Sequence, residues 1–155
     1  MPTTRLIAVT IATVAGVGRF PVAPGTAGSL VAVPLLPVLA NLRGGSPLAY
    51  ALVVLAIVLT GIWAAGIAED VLGGPDHSRI VIDEVSGMIL AGLFLPGTWV
   101  AAGLAFVLFR ILDVVKPFPA GLIDARVHGG LGVVGDDLVA GVYAGLLGRL
   151  VLAVV

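Results

Sequence analysis

Residues 109–137 read FRILDVVKPFPAGLIDARVHGGLGVVGDD, and the rest of the chain is arranged to serve them. The stretch carries four acidic residues (Asp113, Asp124, Asp136, Asp137), three basic ones (Arg110, Lys116, Arg126) and one of the two histidines, His128. Only nine acids and eight bases occur in all 155 residues, so these charges are crowded together. The chain as a whole is 59% hydrophobic and 11% charged, with a mean hydropathy of +1.19, against about 25% charged residues in an ordinary soluble domain. This is the make-up of an integral membrane protein, where an ionisable side chain is costly unless it faces water, a partner or a ligand. A loop that is merely solvated would favour Lys and Glu over this mixture of Asp, Gly and Pro. The charge cluster is therefore read as chemistry.

The length suits one membrane-embedded domain, residues 1–155. A net charge of −1 with no basic stripe leaves no case for nucleic acid as a partner. The absence of cysteine excludes disulfides, thiolate zinc sites and cysteine nucleophiles.

Outward from the cluster, toward the N-terminus, residues 85–109 are uncharged and are interrupted by Pro96 and Gly97. A single kinked span would put Asp83 and Glu84 across the membrane from the cluster; a hairpin turning at LPGT would return them to it. The turn chemistry of LPGT favours the hairpin, with helices over 80–95 and 98–115 whose acidic ends meet. Residues 69–79, EDVLGGPDHSR, form a polar connector with His77 in a solvated loop. Residues 47–68 are 22 uncharged residues, roughly 33 Å of helix and enough to cross a bilayer. The apolar run 30–42 is short for a span. It recruits residues from Thr26 onward, and Pro34 and Pro37 kink it.

In 21–30, PVAPGTAGSL, Pro21 and Pro24 stop the incoming helix while Thr26 or Ser29 caps the next one. A stronger reading makes this turn an anion site, with both hydroxyls as added donors. The first twenty residues lack a convincing cleavage site and are expected to be retained, with residues 5–18 a short interfacial or re-entrant helix. On the other flank, a last helix over 134–155 carries Arg149 near its far end.

The fold expected is thus all-α: a polytopic membrane helical bundle of about five spanning helices plus the short N-terminal one. Arg5, Arg19, Arg79, Arg110, Lys116 and Arg126 fall on one side with every acidic residue, while Arg43 and Arg149 fall on the other. The positive-inside rule makes the first side cytoplasmic.

On a helix Arg110 and Asp113 share a face, and Lys116 follows one turn on. Asp83 and Glu84 are followed by Gly87, and Asp136 and Asp137 by Ala140 and Gly141. Small residues one turn past each acidic pair let another helix approach closely. Carboxylates then gather at one edge of the bundle, and like charges so crowded call for a cation. Oxygen-only ligands suit Mg²⁺ or Mn²⁺, and Mg²⁺ keeps waters and substrate phosphate in its shell. Arg110, Lys116 and Arg126 would contact phosphate. His128 is a candidate proton or hydrogen-bond donor to phosphate, and Asp124 and Arg126 have the alternative of pairing with each other. The substrate class indicated is a phosphorylated molecule at the membrane surface.

There is no GxxxxGK[ST] loop and no GxSxG elbow. The stretch DARVHGGLGVVGDD partly matches the CDP-alcohol phosphatidyltransferase pattern, but lacks its earlier Asp-x-x-Asp-Gly order and has Ala140 in place of the last Asp. That lipid enzyme is one alternative. An ion-coupled carrier whose buried carboxylates bind a transported cation is another.

Three blocks, APGTAGSL at 23–30, DHSRIVIDEVSGM at 76–88 and FRILDVVKPFPAGLIDARVHGGLGVVGDDLVAG at 109–141, resemble the phosphatidylglycerophosphatase A family of bacterial membrane lipid phosphatases. The resemblance implies Mg²⁺-dependent removal of the terminal phosphate of phosphatidylglycerophosphate, giving phosphatidylglycerol, at the cytoplasmic face of the inner membrane. It makes Asp83, Glu84, Asp113, Asp136 and Asp137 the catalytic and metal-binding candidates. It also strengthens Thr26, Ser29, Arg110, Lys116, Arg126 and His128 as substrate-binding candidates. Attack by water and a phospho-aspartyl intermediate both remain open.

Overall fold

The computed structural model describes residues 2–75 and 77–154, so Asp76 and Val155, which the connector and the last helix were expected to include, lie outside the description. Among the described residues every regular element is helical.

Helix α1 (Thr3–Ala12) buries Ala8 and Ala12 and exposes Leu6 and Ile7. Its last carbonyl accepts a hydrogen bond of 2.9 Å from the N–H of Val81, the residue just before the helix that begins at Ile82. Ten residues rise only about 15 Å, too short to span. Helices α2 (Pro24–Ala32) and α3 (Leu35–Gly45) run on from one another through Pro34 as one bent apolar unit. The interruption falls at Pro34, one of the two prolines expected to kink the run, while Pro37 lies inside α3; proline removes one N–H from the ladder and crowds the preceding turn. Neither Thr26 nor Ser29 caps α2: both lie inside it, and Ala23 precedes it with φ 49° and no side-chain cap.

Helix α4 (Pro47–Leu72) is opened by Pro47 at its first position and by Ser46, whose hydroxyl accepts from the Ala49 N–H at 3.3 Å. It runs four residues beyond the uncharged stretch and so carries Glu69 and Asp70 in its last turn. Helices α5 (Ile82–Gly92) and α6 (Trp99–Val115) form the expected hairpin around Pro96 and Gly97. Thr98 starts α6 by accepting from the Ala101 N–H at 3.2 Å.

A short α7 (Ala120–Arg126) follows the prolines, an element the sequence reading did not anticipate. Helix α8 (Gly130–Val154) begins four residues before the expected Val134. Its opening glycines are contact residues rather than a loop: Gly130 abuts the Ile62 carbonyl and Gly132 the Val127 carbonyl, where a side chain would collide.

Three helical stretches are long and apolar enough to cross a membrane: Pro24–Gly45, Pro47–Leu72 and Gly130–Val154. The expectation of about five spans is met only in that part. Helix α5 has eleven residues, rising about 16 Å, and eight of them are buried, so it is the central post of the bundle and not a lipid-facing span. Its closest neighbour is α8. A methyl group on Gly87 would lie 2.6 Å from the Asp137 carbonyl oxygen, and one on Gly141 would collide with the Gly87 carbonyl. The small residues past each acidic pair thus perform the close approach expected of them. Beside them Phe109, Met88, Ile89 and Val134 fill the core.

Candidate active site

The antiparallel helices bring the C-terminal ends of α4 and α6 and the N-terminal parts of α5 and α8 to one end of the bundle. There Glu69, Asp83, Glu84, Asp113, Asp136 and Asp137 line a cleft of about 390 Å³, with Lys116, Asp124 and His128 also on its wall. Asp83 and Glu84 stand in the first turn of α5, where unpaired N–H groups and the helix dipole favour negative charge.

Three of these acids come together. One oxygen each from Asp83, Glu84 and Asp137 lies within 4.8 Å of the other two. Asp83 and Asp137 are 8% and 3% exposed, so bulk water does not screen them. Asp83 Oδ1, Glu84 Oε2 and Asp137 Oδ2 are buried without a hydrogen-bond partner. Three buried, orphaned acceptors of like charge carry both a desolvation cost and a mutual repulsion. A hard divalent cation relieves both at once, and an all-oxygen donor set with open cleft beside it suits one that keeps waters and a phosphate as further ligands. The residues present therefore fit such an ion.

The other two carboxylates proposed as ligands are held by cations. Asp113 Oδ2 is 2.8 Å from Arg110 Nη1, and Asp136 Oδ2 is 2.8 Å from Lys116 Nζ, which also sits 2.8 Å from Asp124 Oδ1. Partial burial works against the Lys116 ammonium, but its bonds to Asp124 and Asp136 outweigh that and hold its pKa above the ordinary lysine value. Arg110 Nη1 is also 3.9 Å from Glu84 Oε1 and donates to Ser29 Oγ at 3.4 Å. Ser29 in turn donates to the Gly25 carbonyl at 3.0 Å. Arg110 thus knots α2, α5 and α6 behind the three-acid group. Gly25 packs against this knot, where a methyl group would collide with Glu84 Oε1.

The family model of Phosphatidylglycerophosphatase A matches residues 10–152. Phosphatidylglycerophosphatase A of Escherichia coli K12 is 43% identical over 136 residues, covering 85% of this chain and 76% of the relative. The chain belongs to the phosphatidylglycerophosphatase A family. By that membership it is a phosphatase, a phosphoric monoester hydrolase. The protein of the same name from Haemophilus influenzae is 33% identical over 132 residues, 83% of this chain and 78% of the relative. A Bacteroides thetaiotaomicron protein named as a putative phosphatidylinositol-3-phosphatase is 39% identical over 145 residues, 90% of this chain and 89% of the relative. No solved structure matches the chain.

In this phosphatidylglycerophosphatase A relative, the anticipated site residues divide by position. Asp83, Glu84 and Asp137 form the cation-ready group; Asp113 and Asp136 share the cleft but are ion-paired. Lys116 and His128 line the cleft. Arg110 and Ser29 lie behind its wall, bonded to one another. Thr26 is half-buried within α2, and Arg126 is exposed at the end of α7, outside the cleft lining. Asp124 pairs with Lys116 and not with Arg126. His77 is in the connector as expected, its Nδ1 accepting from the Arg79 N–H at 3.2 Å.

Glu69 was missed. The signal for it was a third acidic doublet, Glu69 and Asp70, closing a long uncharged run as Asp83 and Glu84 open one.

Proposed function

We propose that the protein removes the terminal phosphate of phosphatidylglycerophosphate, giving phosphatidylglycerol and inorganic phosphate, with Mg²⁺ bound by Asp83, Glu84 and Asp137. The observation that carries this is the trio of buried, unpartnered carboxylate oxygens at the cleft, in a chain of this phosphatase family. Held by these three carboxylates, Mg²⁺ would supply charge neutralisation for the phosphoryl oxygens and lower the pKa of a bound water.

The chain's own groups do the rest. Lys116 Nζ sits between two carboxylates at the cleft wall and turns its third proton to a phosphoryl oxygen, so charge developing in the transition state meets a positioned ammonium. Arg110 keeps Asp113 and Glu84 in place, and the apolar helices around the cleft restrict water. As water adds to phosphorus, the bond from phosphorus to the glycerol oxygen breaks. His128 is placed at the cleft to pass a proton to that leaving oxygen. We assign the cleft end to the cytoplasmic side of the bacterial inner membrane because Arg110, Lys116 and Arg126 lie toward it, against Arg43 and Arg149 at the other end.

The test is release of inorganic phosphate from synthetic phosphatidylglycerophosphate in mixed micelles, with Mg²⁺ and then with excess EDTA. Turnover with Mg²⁺ and its loss with EDTA are expected; undiminished turnover in EDTA overturns the metal assignment. Phosphatidylinositol 3-phosphate is the second substrate, chosen because of the Bacteroides relative's name. Hydrolysis of that lipid alone would reassign the headgroup. Trapping labelled phosphate on protein after an acid quench would replace direct water attack with a phospho-aspartyl route.

A further inference from the structure

At the end of the bundle remote from the cleft, Arg43 and Arg149 reach the same turn from α3 and α8. Arg43 Nη1 donates to the Gly92 carbonyl at 3.1 Å and to that of Leu93, and Nη2 donates to Leu95 at 2.7 Å. Arg149 Nη1 donates to the Phe94 carbonyl at 3.4 Å. A guanidinium has five donors, and the three bonds from Arg43 leave it capacity for an anion. Carboxylates do not compete for it: every acidic residue among those described lies at the opposite end, along the cleft and its margin.

Tyr50 lies beneath Arg43, with the guanidinium carbon 5.8 Å from its ring centre. Below the pair opens an apolar cavity of about 520 Å³, lined among others by Ala51, Leu55, Leu90 and Leu93. Leu55 is 52% and Leu93 39% exposed, so the cavity faces the surroundings of the bundle.

We propose that this cavity binds one phospholipid of the leaflet opposite the cleft, with its phosphate on Arg43 and an acyl chain along Ala51, Leu55 and Leu93. The headgroup is anionic. A zwitterionic one would bring an ammonium to an end of the molecule that carries two arginines and, among the described residues, no acidic side chain to receive it. The site is separate from the phosphatase cleft and does not depend on the substrate assigned there.

The test uses the full chain in detergent, offered an equal mixture of phosphatidylglycerol and phosphatidylethanolamine of matched chains, and read by native mass spectrometry. One retained phospholipid is expected, with the anionic one favoured about fivefold, as one added surface cation should give. Arg43→Gln, which removes the charge and keeps a hydrogen-bond donor, should lose the preference. Ala51→Trp and Leu55→Trp, each filling the cavity from its lipid-facing side, should lose the retained lipid. Equal retention of the two lipids by the unaltered protein overturns the proposal. So does an adduct that survives both tryptophan variants, which would place the lipid in the catalytic cleft or elsewhere.

Discussion

Asp136 and Asp137 are adjacent in the chain and do different work. Asp137 turns an unpartnered oxygen toward Asp83 and Glu84, whereas Asp136 is already neutralised by Lys116. Asp137→Asn should therefore remove turnover and its response to added Mg²⁺, a loss greater than the roughly 10–100-fold typical of a residue that only supports a ligand. Asp136→Asn should cost about that 10–100-fold and keep the Mg²⁺ response. Initial rates across a Mg²⁺ titration separate the two. Lys116→Gln removes the one cation shared by Asp124 and Asp136, and a lost bond to charged groups predicts a fall in kcat/KM of roughly 10–150-fold. Because the Lys116 pKa is raised in the folded protein, its contribution to stability is complete below the ordinary lysine pKa and is lost only as pH climbs through the higher folded value. The difference in Tm between Lys116→Gln and the unaltered protein should thus stay constant from about pH 6 to about pH 9. A difference that shrinks within that window would show that Lys116 is not the group held charged.

At the scale of elements, α2 acts as a backing plate for the site and the APGT turn is legible only in that light. From sequence it promised caps and an anion site, because hydroxyls near a helix start usually serve there. In the fold Ser29 is wholly buried and bonded to Arg110, and Gly25 leaves room for Glu84. A methyl group at position 25 must push Glu84 away from Asp83 and Asp137. Gly25→Ala is accordingly expected to weaken Mg²⁺ binding and turnover by about 10-fold or more while leaving Tm nearly unchanged, as paired rate and thermal-melt measurements would reveal. Gly141→Val acts instead on the seam between α5 and α8. Overpacking there should destabilise by about 1–3 kcal/mol and lower Tm together with activity. The helices α4 and α6 were readable because an uncharged run, a capping hydroxyl and a proline-glycine turn are local signals. The early start of α8 and the existence of α7 were not. GGLGVVG and PFPAG have loop composition, and only contact with the Ile62 and Val127 carbonyls explains why glycine is needed inside a helix.

For the whole molecule, antiparallel packing makes the site readable from the ends of segments. Alternate ends of successive helices must meet, so acids closing α4 and α6 join acids opening α5 and acids two turns into α8 wherever the hairpin turn is correct. What spacing could not settle was which acids face one another and which face a cation; that depends on helix rotation and on how far Arg110 and Lys116 reach. The same packing gives the two ends different charge. The described acids occupy the cleft end together with Arg110 and Lys116, while Arg43 and Arg149 stand at the other. The positive-inside rule then predicts an orientation that can be measured directly, because the chain has no cysteine of its own. Ala125→Cys would mark the exposed α7 beside the cleft, and Gly44→Cys the far end of α3, where an added side chain meets nothing within 4 Å. A membrane-impermeant maleimide should label Gly44→Cys but not Ala125→Cys in spheroplasts, and the reverse in inside-out vesicles. The opposite pattern would turn the cleft outward and overturn the cytoplasmic assignment. In that case the carboxylates would be right about the chemistry and the arginines wrong about where it happens.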